Sequence, residues 1–254
     1  MKRVDLNCDT GELAEAVTGG AQEALLRYVT SANVACGGHA GDAATMQATI
    51  EQCLRHGVAV GAHPGYEDRA NFGRIELKLS REQVAASVYR QVLALAEIAA
   101  RCGARITHVK PHGALYNQAA GERELARGIA EGVARWKNDV VLVGLAGSAM
   151  LEEFRASGFR VAAEAFADRR YEPDGSLRSR KFQDALLKNP EEAAAQAVQI
   201  VQQSTVIAAD GSAVPLFAET ICIHGDTPGA AEIAATVRRA LRAAGIELNA
   251  LGAP

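Results

Sequence analysis

The sequence lacks the features of a membrane-bound or secreted protein. None of its apolar stretches is long enough for a membrane-spanning helix, and the charged start at Met1–Asp5 is not followed by the apolar run of a signal peptide. The five cysteines are odd in number and widely separated, with no Cys-x-x-Cys pair, so neither a zinc ribbon nor a disulfide framework is expected. These absences predict a cytoplasmic protein with no membrane partner.

A strong excess of charge of either sign is also missing. The chain has 27 Lys and Arg against 30 Asp and Glu, so no basic surface for nucleic acid is expected. It also lacks the Gly-x-x-x-x-Gly-Lys-[Ser/Thr] loop that cradles nucleotide phosphates. We therefore expect a small molecule or another protein as the partner, and any nucleotide would need a different kind of site or another chain.

What the sequence does contain is a regular alternation of short β-runs and amphipathic helices. Its 254 residues and 48% apolar content fit one α/β domain spanning 1–254. Strands that are each followed by a helix predict a parallel sheet with right-handed crossovers, either open and doubly wound or closed into a barrel. The seven predicted strands are Val4–Asp9, Thr30–Cys36, Val58–Ala62, Ile106–Lys110, Val140–Leu145, Phe159–Ala165 and Thr220–His224.

Two observations favour the barrel over the open sheet. No Gly-x-Gly-x-x-Gly turn follows the first strand, and several strands carry polar residues at alternate positions, as Asp5, Asn7 and Asp9 do. Such positions would point into the mouth of a barrel. The regular alternation lapses in a long charged loop at about 166–188, and a connection of this length in a compact domain is usually functional.

Polar side chains collect at the predicted carboxyl ends of the strands, where parallel α/β folds bind their ligands. The densest group is Lys110, His112 and Tyr116, which fall within seven residues where a strand stops at a proline. These are more proton-handling groups than a strand end needs for folding, so we predict an active site here. The other strand ends contribute Asn7 and Asp9, Asn33, His63, Glu164, and His224 with Asp226, and His39 follows the second strand.

Several of the polar residues also have a purely structural interpretation. Asp42 and Asp226 precede helices at the spacing of N-caps, so a cap and a functional role remain equally open for both. We interpret His108 as a hydrogen-bonded structural residue. The pair Arg169-Arg170 is either solvated or an anion clamp, and the length of its loop favours the clamp. The cysteines expected to be small core residues are Cys8, Cys36 and Cys222.

A metal site is an alternative that the residues leave open. Potential ligands come from separate strands, and no helical His-Glu-x-x-His motif is present. We therefore favour a site without metal ligands. The side chains that could serve as ligands are Asp9, His39, Asp42 and His63.

Several long motifs, in order from Val4 to the final helix, resemble the LamB/YcsF family. The chain departs from the family pattern at Leu13–Val17, where Gly-Phe-Gly is usual, and at Asp184-Ala185, where Gly-Ala is usual. The motifs that carry the resemblance are Asp5–Glu12, Ser31–Asp42, Gly61–Tyr66, Val109–Tyr116, Phe166–Tyr171 and His224–Asp226.

The resemblance implies both a fold and a reaction. The fold is a distorted seven-stranded (β/α) barrel, similar to those of glycoside hydrolases and polysaccharide deacetylases. The reaction is the opening of the lactam of 5-oxoproline to L-glutamate, coupled to hydrolysis of ATP to ADP and phosphate. Two further 5-oxoprolinase subunits, B and C, take part, and ATP is a co-substrate bound here or by one of these partners.

The residues suggest roles in such a reaction. An unstrained lactam is a poor electrophile, so its oxygen must be stabilised or phosphorylated and a water must be activated. Asp9 or His63 is predicted to accept the proton of the water, while Lys110 and His112 stabilise or protonate the amide. The residues predicted to bind the substrate are Asn7, Asn33, His39, Tyr116, Glu164, Arg169 and His224.

Two alternatives from other functional classes remain. A stand-alone metal-dependent hydrolase of the deacetylase type would contain zinc and would work without ATP. A non-catalytic subunit would hold 5-oxoproline while the chemistry takes place elsewhere.

Overall fold

The computed structural model describes residues 2–225, 227 and 229–252, and most of these belong to short strands and longer helices. The strands are β1 (Arg3–Thr10), β2 (Ser31–Ala35), β3 (Ala59–His63), β4 (Ile106–Val109), β5 (Val141–Leu145), β6 (Arg160–Phe166), β7 (Thr205–Ile207), β8 (Ala213–Pro215), β9 (Thr220–Ile223) and β10 (Glu247–Leu248). The helices are α1 (Ala14–Thr18), α2 (Ala21–Leu26), α3 (Ala43–His56), α4 (Arg81–Arg101), α5 (Gly113–Gly121), α6 (Arg123–Trp136), α7 (Ala149–Ala156), α8 (Pro190–Gln203) and α9 (Ala230–Ala243).

Seven parallel strands close into a barrel, in the order β1-β2-β3-β4-β5-β6-β9, and the pairing of β9 with β1 completes the ring. Registers such as Asp9 opposite Asn33 and Asp5 opposite Thr220 bring the polar positions of neighbouring strands side by side. The closed barrel confirms the predicted fold class. It also aligns the carboxyl ends of all seven strands at one rim, where the ligand sites of such barrels lie.

The interior of the barrel is unusually polar, which explains the alternating pattern of the first strand. Buried Asp5 accepts hydrogen bonds from the hydroxyls of Thr30, Ser31 and Thr220 at 2.5–2.8 Å. Burial raises the pKa of this carboxyl from 3.8 to about 6. Asp5 therefore has partners on the neighbouring strands, as a stable interior requires of a buried polar group.

Gly61 makes room for another of these interior groups. A Cβ atom at this position would overlap the Nε2 atom of His108. That nitrogen lies 2.9 Å from Oδ1 of Asn33, and Nδ1 of the same ring lies 2.9 Å from the hydroxyl of Thr107. His108 is fully buried and hydrogen-bonded, as predicted.

The helices pack around the barrel and bury an apolar core between themselves and the strands. Helix α4 begins with a capping box, because Ser80 accepts from the backbone of Gln83 while the Gln83 side chain accepts from Ser80 N. Asn189 caps α8 by accepting from the backbone of Glu191 and Glu192. Helix α6 approaches α4 closely at Gly132, where a Cβ would lie 2.6 Å from the carbonyl oxygen of Ala85.

Three local features were not predicted. Helix α1 occupies the region after the first strand. The antiparallel hairpin β7–β8 follows α8, with Gly211 in its turn at a φ of 87°. Strand β10 pairs with the amino end of β1.

Two further expectations can be compared with the described residues. Residues 167–189 contain no helix and no strand longer than an isolated bridge, as expected for the long charged loop. Among the described helices, none combines the length and the apolar character needed to cross a bilayer.

Candidate active site

A cavity of about 880 Å³ opens at the rim formed by the carboxyl ends of the strands. It lies between these strand ends, the start of α5 and the long charged loop. The charged and titratable residues that line it are Asp9, Glu12, His63, Arg74, Lys110, His112, Tyr116, Arg169, Asp174, Arg180, Lys181 and His224.

Lys110 is the centre of a buried ion cluster at the floor of the cavity. Its Nζ atom lies 3.0 Å from Oδ1 of Asp9 and 2.9 Å from Oε1 of Glu164, and it also contacts Sγ of Cys222 at 3.2 Å. Burial would lower the pKa of Lys110, but Asp9, Cys222 and Glu164 outweigh burial and raise the pKa well above its ordinary value. Lys110 is therefore a fixed positive charge.

Asp9 is held in its ionised form from several sides. Burial alone would raise the pKa of Asp9, but His63 and Lys110 hold it well below its usual range. Asn33 Nδ2 donates to Oδ1 of Asp9 at 2.8 Å and also to Asn7 Oδ1 at 2.8 Å. Asn7 Nδ2 in turn donates to Glu164 at 3.1 Å. The two asparagines thus connect both carboxylates of the cluster.

Three histidines and Glu12 form a second cluster beside Asp9. Their potential ligand atoms all lie within 4.8 Å of one another. His63 Nε2 is 3.0 Å from His112 Nδ1, and Glu12 Oε1 is 3.2 Å from His112 Nδ1 and 3.9 Å from His63 Nε2. Burial opposes a charge on His63, yet Asp9 outweighs burial and raises the pKa of His63.

Phe72 supports this cluster from an uncommon backbone conformation. Its φ of 56° lies in the left-handed region, which costs a non-glycine residue conformational energy and is often found at functional sites. Its carbonyl accepts a hydrogen bond from His112 Nε2 at 2.9 Å, and its ring meets the rings of His39 and His112 edge-on. The strained residue therefore fixes the orientation of His112.

A histidine–aspartate pair lies on the other side of the rim. His224 Nδ1 is 3.0 Å from Oδ1 of Asp168, and Oδ2 of Asp168 also accepts from the Thr227 hydroxyl at 3.0 Å. Burial raises the pKa of Asp168, but His224 outweighs burial and lowers it, so the carboxylate is ionised. The ring of Phe166 stacks on that of His224 at 5.3 Å. Asp168 therefore orients the imidazole of His224. Because His224 lines the cavity, its Nε2 is the nitrogen that remains for a ligand.

Arg169 brings a buried guanidinium to the cavity from the charged loop. Burial, followed by nearby Arg180, lowers the pKa of Arg169. Nη2 donates to the carbonyl of Arg178 at 2.7 Å, while the buried Nε has no hydrogen-bond partner among the residues that the structure describes. A buried donor without a partner is uncommon in proteins, so Arg169 has capacity for an anionic ligand.

Comparison with known proteins identifies the family of this chain. The family model described as "LamB/YcsF family" matches residues 4–254. The chain belongs to the LamB/YcsF family. A relative from Chloroflexus aggregans, named as the A subunit of 5-oxoprolinase, is 51% identical over 249 residues, covering 98% of this chain and 99% of the relative.

A solved structure agrees with this membership. The crystal structure of the lactam utilization protein from Thermus thermophilus is 43% identical, with a TM-score of 0.90 and coverage of 98% of this chain and 99% of that chain. A family 4 carbohydrate esterase from Streptomyces lividans has a TM-score of 0.53 at 12% identity, covering 97% of this chain and 91% of that chain. The latter likeness shows a shared barrel fold only.

Most of the predicted site residues of this LamB/YcsF chain lie around the one cavity. All four predicted catalytic residues line it, together with Tyr116, Arg169 and His224. The other predicted substrate-binding residues are buried beneath the lining and bonded to it, so they reach a ligand through their neighbours. These buried residues are Asn7, Asn33, His39 and Glu164.

Tyr116 is protonated at the cavity wall. Burial, followed by the nearby Glu164, raises the pKa of Tyr116 well above its ordinary value. The hydroxyl is therefore a hydrogen-bond donor and not an anion at neutral pH.

Three residues of the site were not predicted as functional. Glu12 stands three residues after Asp9 and is the last residue of the motif Asp5–Glu12. An acidic residue at this place was the signal in the sequence that could have revealed it. Asp168 belongs to the charged loop, and only its pairing with His224 reveals its role. Phe72 gave no signal in the sequence.

The structure also locates residues for which the sequence suggested a structural role. Asp42 is an exposed N-cap of α3, where it accepts from Thr45 N at 2.8 Å, and it does not join the histidine cluster. Asp226 lies outside the described residues. Cys8, Cys36 and Cys222 are buried and free, as expected of core residues.

The segment Leu13–Val17 contributes to a second cavity. Leu13 and Ala16 line a second cavity of about 270 Å³, which shares Asp9 and Glu12 with the larger one. Helix α1 therefore forms part of the surroundings of the active site.

Proposed function

We propose that this chain is the A subunit of an ATP-dependent 5-oxoprolinase and that its rim cavity is where 5-oxoproline is opened to L-glutamate. The names of the relatives from Chloroflexus and Thermus support a lactam substrate. The observation that carries the proposal is the position of Arg169, which lines the same cavity as Asp9 and His224 and whose buried Nε has no hydrogen-bond partner among the described residues. An anion-binding donor and acid–base groups are thus within reach of one small ligand.

Arg169 is the proposed partner of the substrate carboxylate. Guanidinium groups bind carboxylates through charge-assisted hydrogen bonds, and burial strengthens such bonds. With the carboxylate at Arg169, the lactam ring lies over the floor of the cavity, where Lys110 and Asp9 are located. Tyr116 is a neutral donor on the same wall.

Proton transfer is assigned to the histidines rather than to Asp9. The depressed pKa of Asp9 makes it a weak base at neutral pH. His224 has the arrangement of a general base, because Asp168 holds its Nδ1 and fixes the tautomer of its ring. His63, beside Asp9, is the second candidate, and Asp9 then stabilises the positive charge that develops on the imidazole.

Lys110 and His112 have supporting roles in this scheme. The ammonium group of Lys110 is surrounded by Asp9, Glu164 and Cys222, so it supplies a fixed charge beneath the reacting amide. His112 is oriented by the carbonyl of Phe72. The fixed charge of Lys110 favours negative charge on the lactam oxygen, which an unstrained amide must develop during hydrolysis. His112 acts through its contact with His63, whose Nε2 lies 3.0 Å from His112 Nδ1.

The size of the cavity supports a second ligand. Cavities of several hundred Å³ accommodate drug-sized molecules, and about 880 Å³ exceeds the need of a single small lactam. Arg180 and Lys181 line the part contributed by the charged loop. We assign this remaining space to a phosphate group of ATP or to a segment of the B or C subunit.

The experiment is an assay of glutamate release from 5-oxoproline. The purified chain is assayed alone, with the B and C subunits, and with and without ATP. Activity only in the complete mixture with ATP supports the proposal. Hydrolysis by the chain alone without ATP would instead identify a stand-alone hydrolase.

Binding separates the remaining alternative. 5-Oxoproline is titrated into the isolated wild-type chain and into Arg169→Gln, with the exposed Arg101→Gln on α4 as the matched control. We expect Arg169→Gln to weaken binding about tenfold or more, from the loss of a charge-assisted bond. Binding that survives while every cavity variant retains full turnover in the mixture would identify a non-catalytic subunit.

A further inference from the structure

We propose that Glu12, His63 and His112 bind a divalent transition-metal ion of the zinc class. The argument starts from two histidine nitrogens. The carbonyl of Lys110 lies 2.7 Å from Nδ1 of His63, and the carbonyl of Phe72 lies 2.9 Å from Nε2 of His112. A carbonyl only accepts, so each of these nitrogens carries the proton of its ring.

The other nitrogen of each neutral ring is therefore an acceptor. His63 Nε2 and His112 Nδ1 face each other at 3.0 Å. Glu12 Oε1, also an acceptor, lies 3.2 Å from His112 Nδ1 and 3.9 Å from His63 Nε2. When both rings are neutral, three lone pairs converge with no proton between them, and they repel one another unless a cation lies at their centre.

The separations match those of a tetrahedral site. Ligand atoms bound to zinc at about 2.0–2.1 Å are roughly 3.3 Å apart in a tetrahedron. The distances of 3.0, 3.2 and 3.9 Å bracket this value. All three residues line the cavity, so a fourth position is open to Asp9, whose Oδ2 lies 3.4 Å from His63 Nε2, or to a water.

His39 supports the site without being a ligand. Its ring stacks on that of His112 with an angle of 3° and a centroid distance of 3.6 Å. An ion in the plane of His112 lies well out of the plane of His39, and imidazole binds metals in its ring plane. His39 Nε2 instead donates to Glu12 Oε1 at 3.2 Å and orients the carboxylate.

The donor set selects the kind of ion. Two imidazole nitrogens and a carboxylate suit zinc, cobalt and iron, while magnesium and calcium prefer oxygen ligands. Both imidazoles have their second nitrogen fixed by a carbonyl, as is usual for histidine ligands of metals. The proposal rests on this geometry and stands apart from the assignment of 5-oxoproline as the substrate. When the ion is bound, His63 is a ligand, and the role of general base belongs to His224.

Metal binding itself is the test, with no activity involved. The chain is freed of metal with a chelator, then titrated with Zn²⁺ against a chromophoric competitor, and the absorption of bound Co²⁺ is recorded. We expect one equivalent per chain and a visible Co²⁺ spectrum of tetrahedral type. His63→Ala, His112→Ala and Glu12→Gln should each weaken Zn²⁺ binding by more than about a hundredfold, and His39→Gln by about tenfold to a hundredfold.

His56→Ala is the matched control, because His56 pairs with a carboxylate, Glu23, at 2.9 Å away from the cavity. It should bind Zn²⁺ like the wild type. Circular dichroism establishes which variants fold, and Glu12→Gln carries the test if a histidine variant does not. The proposal is overturned if the wild type binds no stoichiometric Zn²⁺, or if folded variants of Glu12, His63 and His112 bind it as the wild type does.

Discussion

Removing Lys110 tests whether the buried ion cluster is as tightly balanced as the structure indicates. In Lys110→Met the carboxylates of Asp9 and Glu164 lose a cation at 3.0 and 2.9 Å. Each attraction is worth about 5–6 kcal/mol at an effective dielectric constant of about 20. Desolvation of the ammonium offsets part of this, and breaking a buried pair typically costs about 3–5 kcal/mol. We therefore expect Lys110→Met to lower the free energy of unfolding by about 3–5 kcal/mol, measured with urea at pH 8.

Two further measurements make the reasoning specific. Because the pKa of Lys110 is raised, its contribution to the free energy of unfolding is fully present below the ordinary lysine pKa. The contribution of Lys110 to the stability of the wild type should therefore not change between pH 5 and 8. The variant should lose more stability at pH 8 than at pH 5, since burial raises the pKa of Asp9 and the opposing effect of Lys110 is removed. Lys110→Met combined with Glu164→Gln should regain at least half of the loss. A loss that is independent of pH and unchanged in the double variant would refute the reasoning.

Three other predictions concern the frame of the site. Gly61→Ala should destabilise the barrel by about 1–3 kcal/mol in urea unfolding, because its Cβ would overlap His108, whereas Gly121→Ala, with open space around it, should be close to neutral. Burial raises the pKa of Asp5 from 3.8 to about 6, so the wild type loses stability once this carboxyl ionises. Relative to the wild type, Asp5→Asn should therefore gain up to roughly 3 kcal/mol in the free energy of unfolding between pH 4 and 7. A difference that does not change with pH would contradict this. Asp42→Ala should cost about 1 kcal/mol through loss of the α3 cap, while glutamate release by the assembled enzyme stays unchanged.

The barrel and its rim were predictable because they follow from local patterns. The alternation of Asp5, Asn7 and Asp9 indicated a polar face that points into the barrel. The lengths of the predicted strands placed His63 and Lys110 at strand ends. Parallel strands then bring such ends together whatever the intervening sequence. This physical rule explains why residues far apart in the chain lie around one cavity.

The remaining parts of the site depend on contacts that local patterns do not encode. Asp168 meets His224 only because β6 pairs with β9 across more than fifty intervening residues, which include an unpredicted hairpin. Glu12 reaches the histidines from a loop beyond β1, and the left-handed backbone of Phe72 is set by its surroundings. These are effects of tertiary packing, so single-sequence reasoning could not have positioned them.

Turnover of the complex assembled with Asp9→Asn tests the central claim most directly, because Asp9 joins the ion cluster, the histidine cluster and the cavity wall. Glutamate release with ATP and the B and C subunits is compared with that of complexes containing wild-type chain or His56→Ala. We predict that Asp9→Asn lowers kcat by about a hundredfold or more, while His56→Ala matches the wild type. A folded Asp9→Asn chain that supports the wild-type kcat would contradict the assignment of this cavity as the place where the lactam is opened.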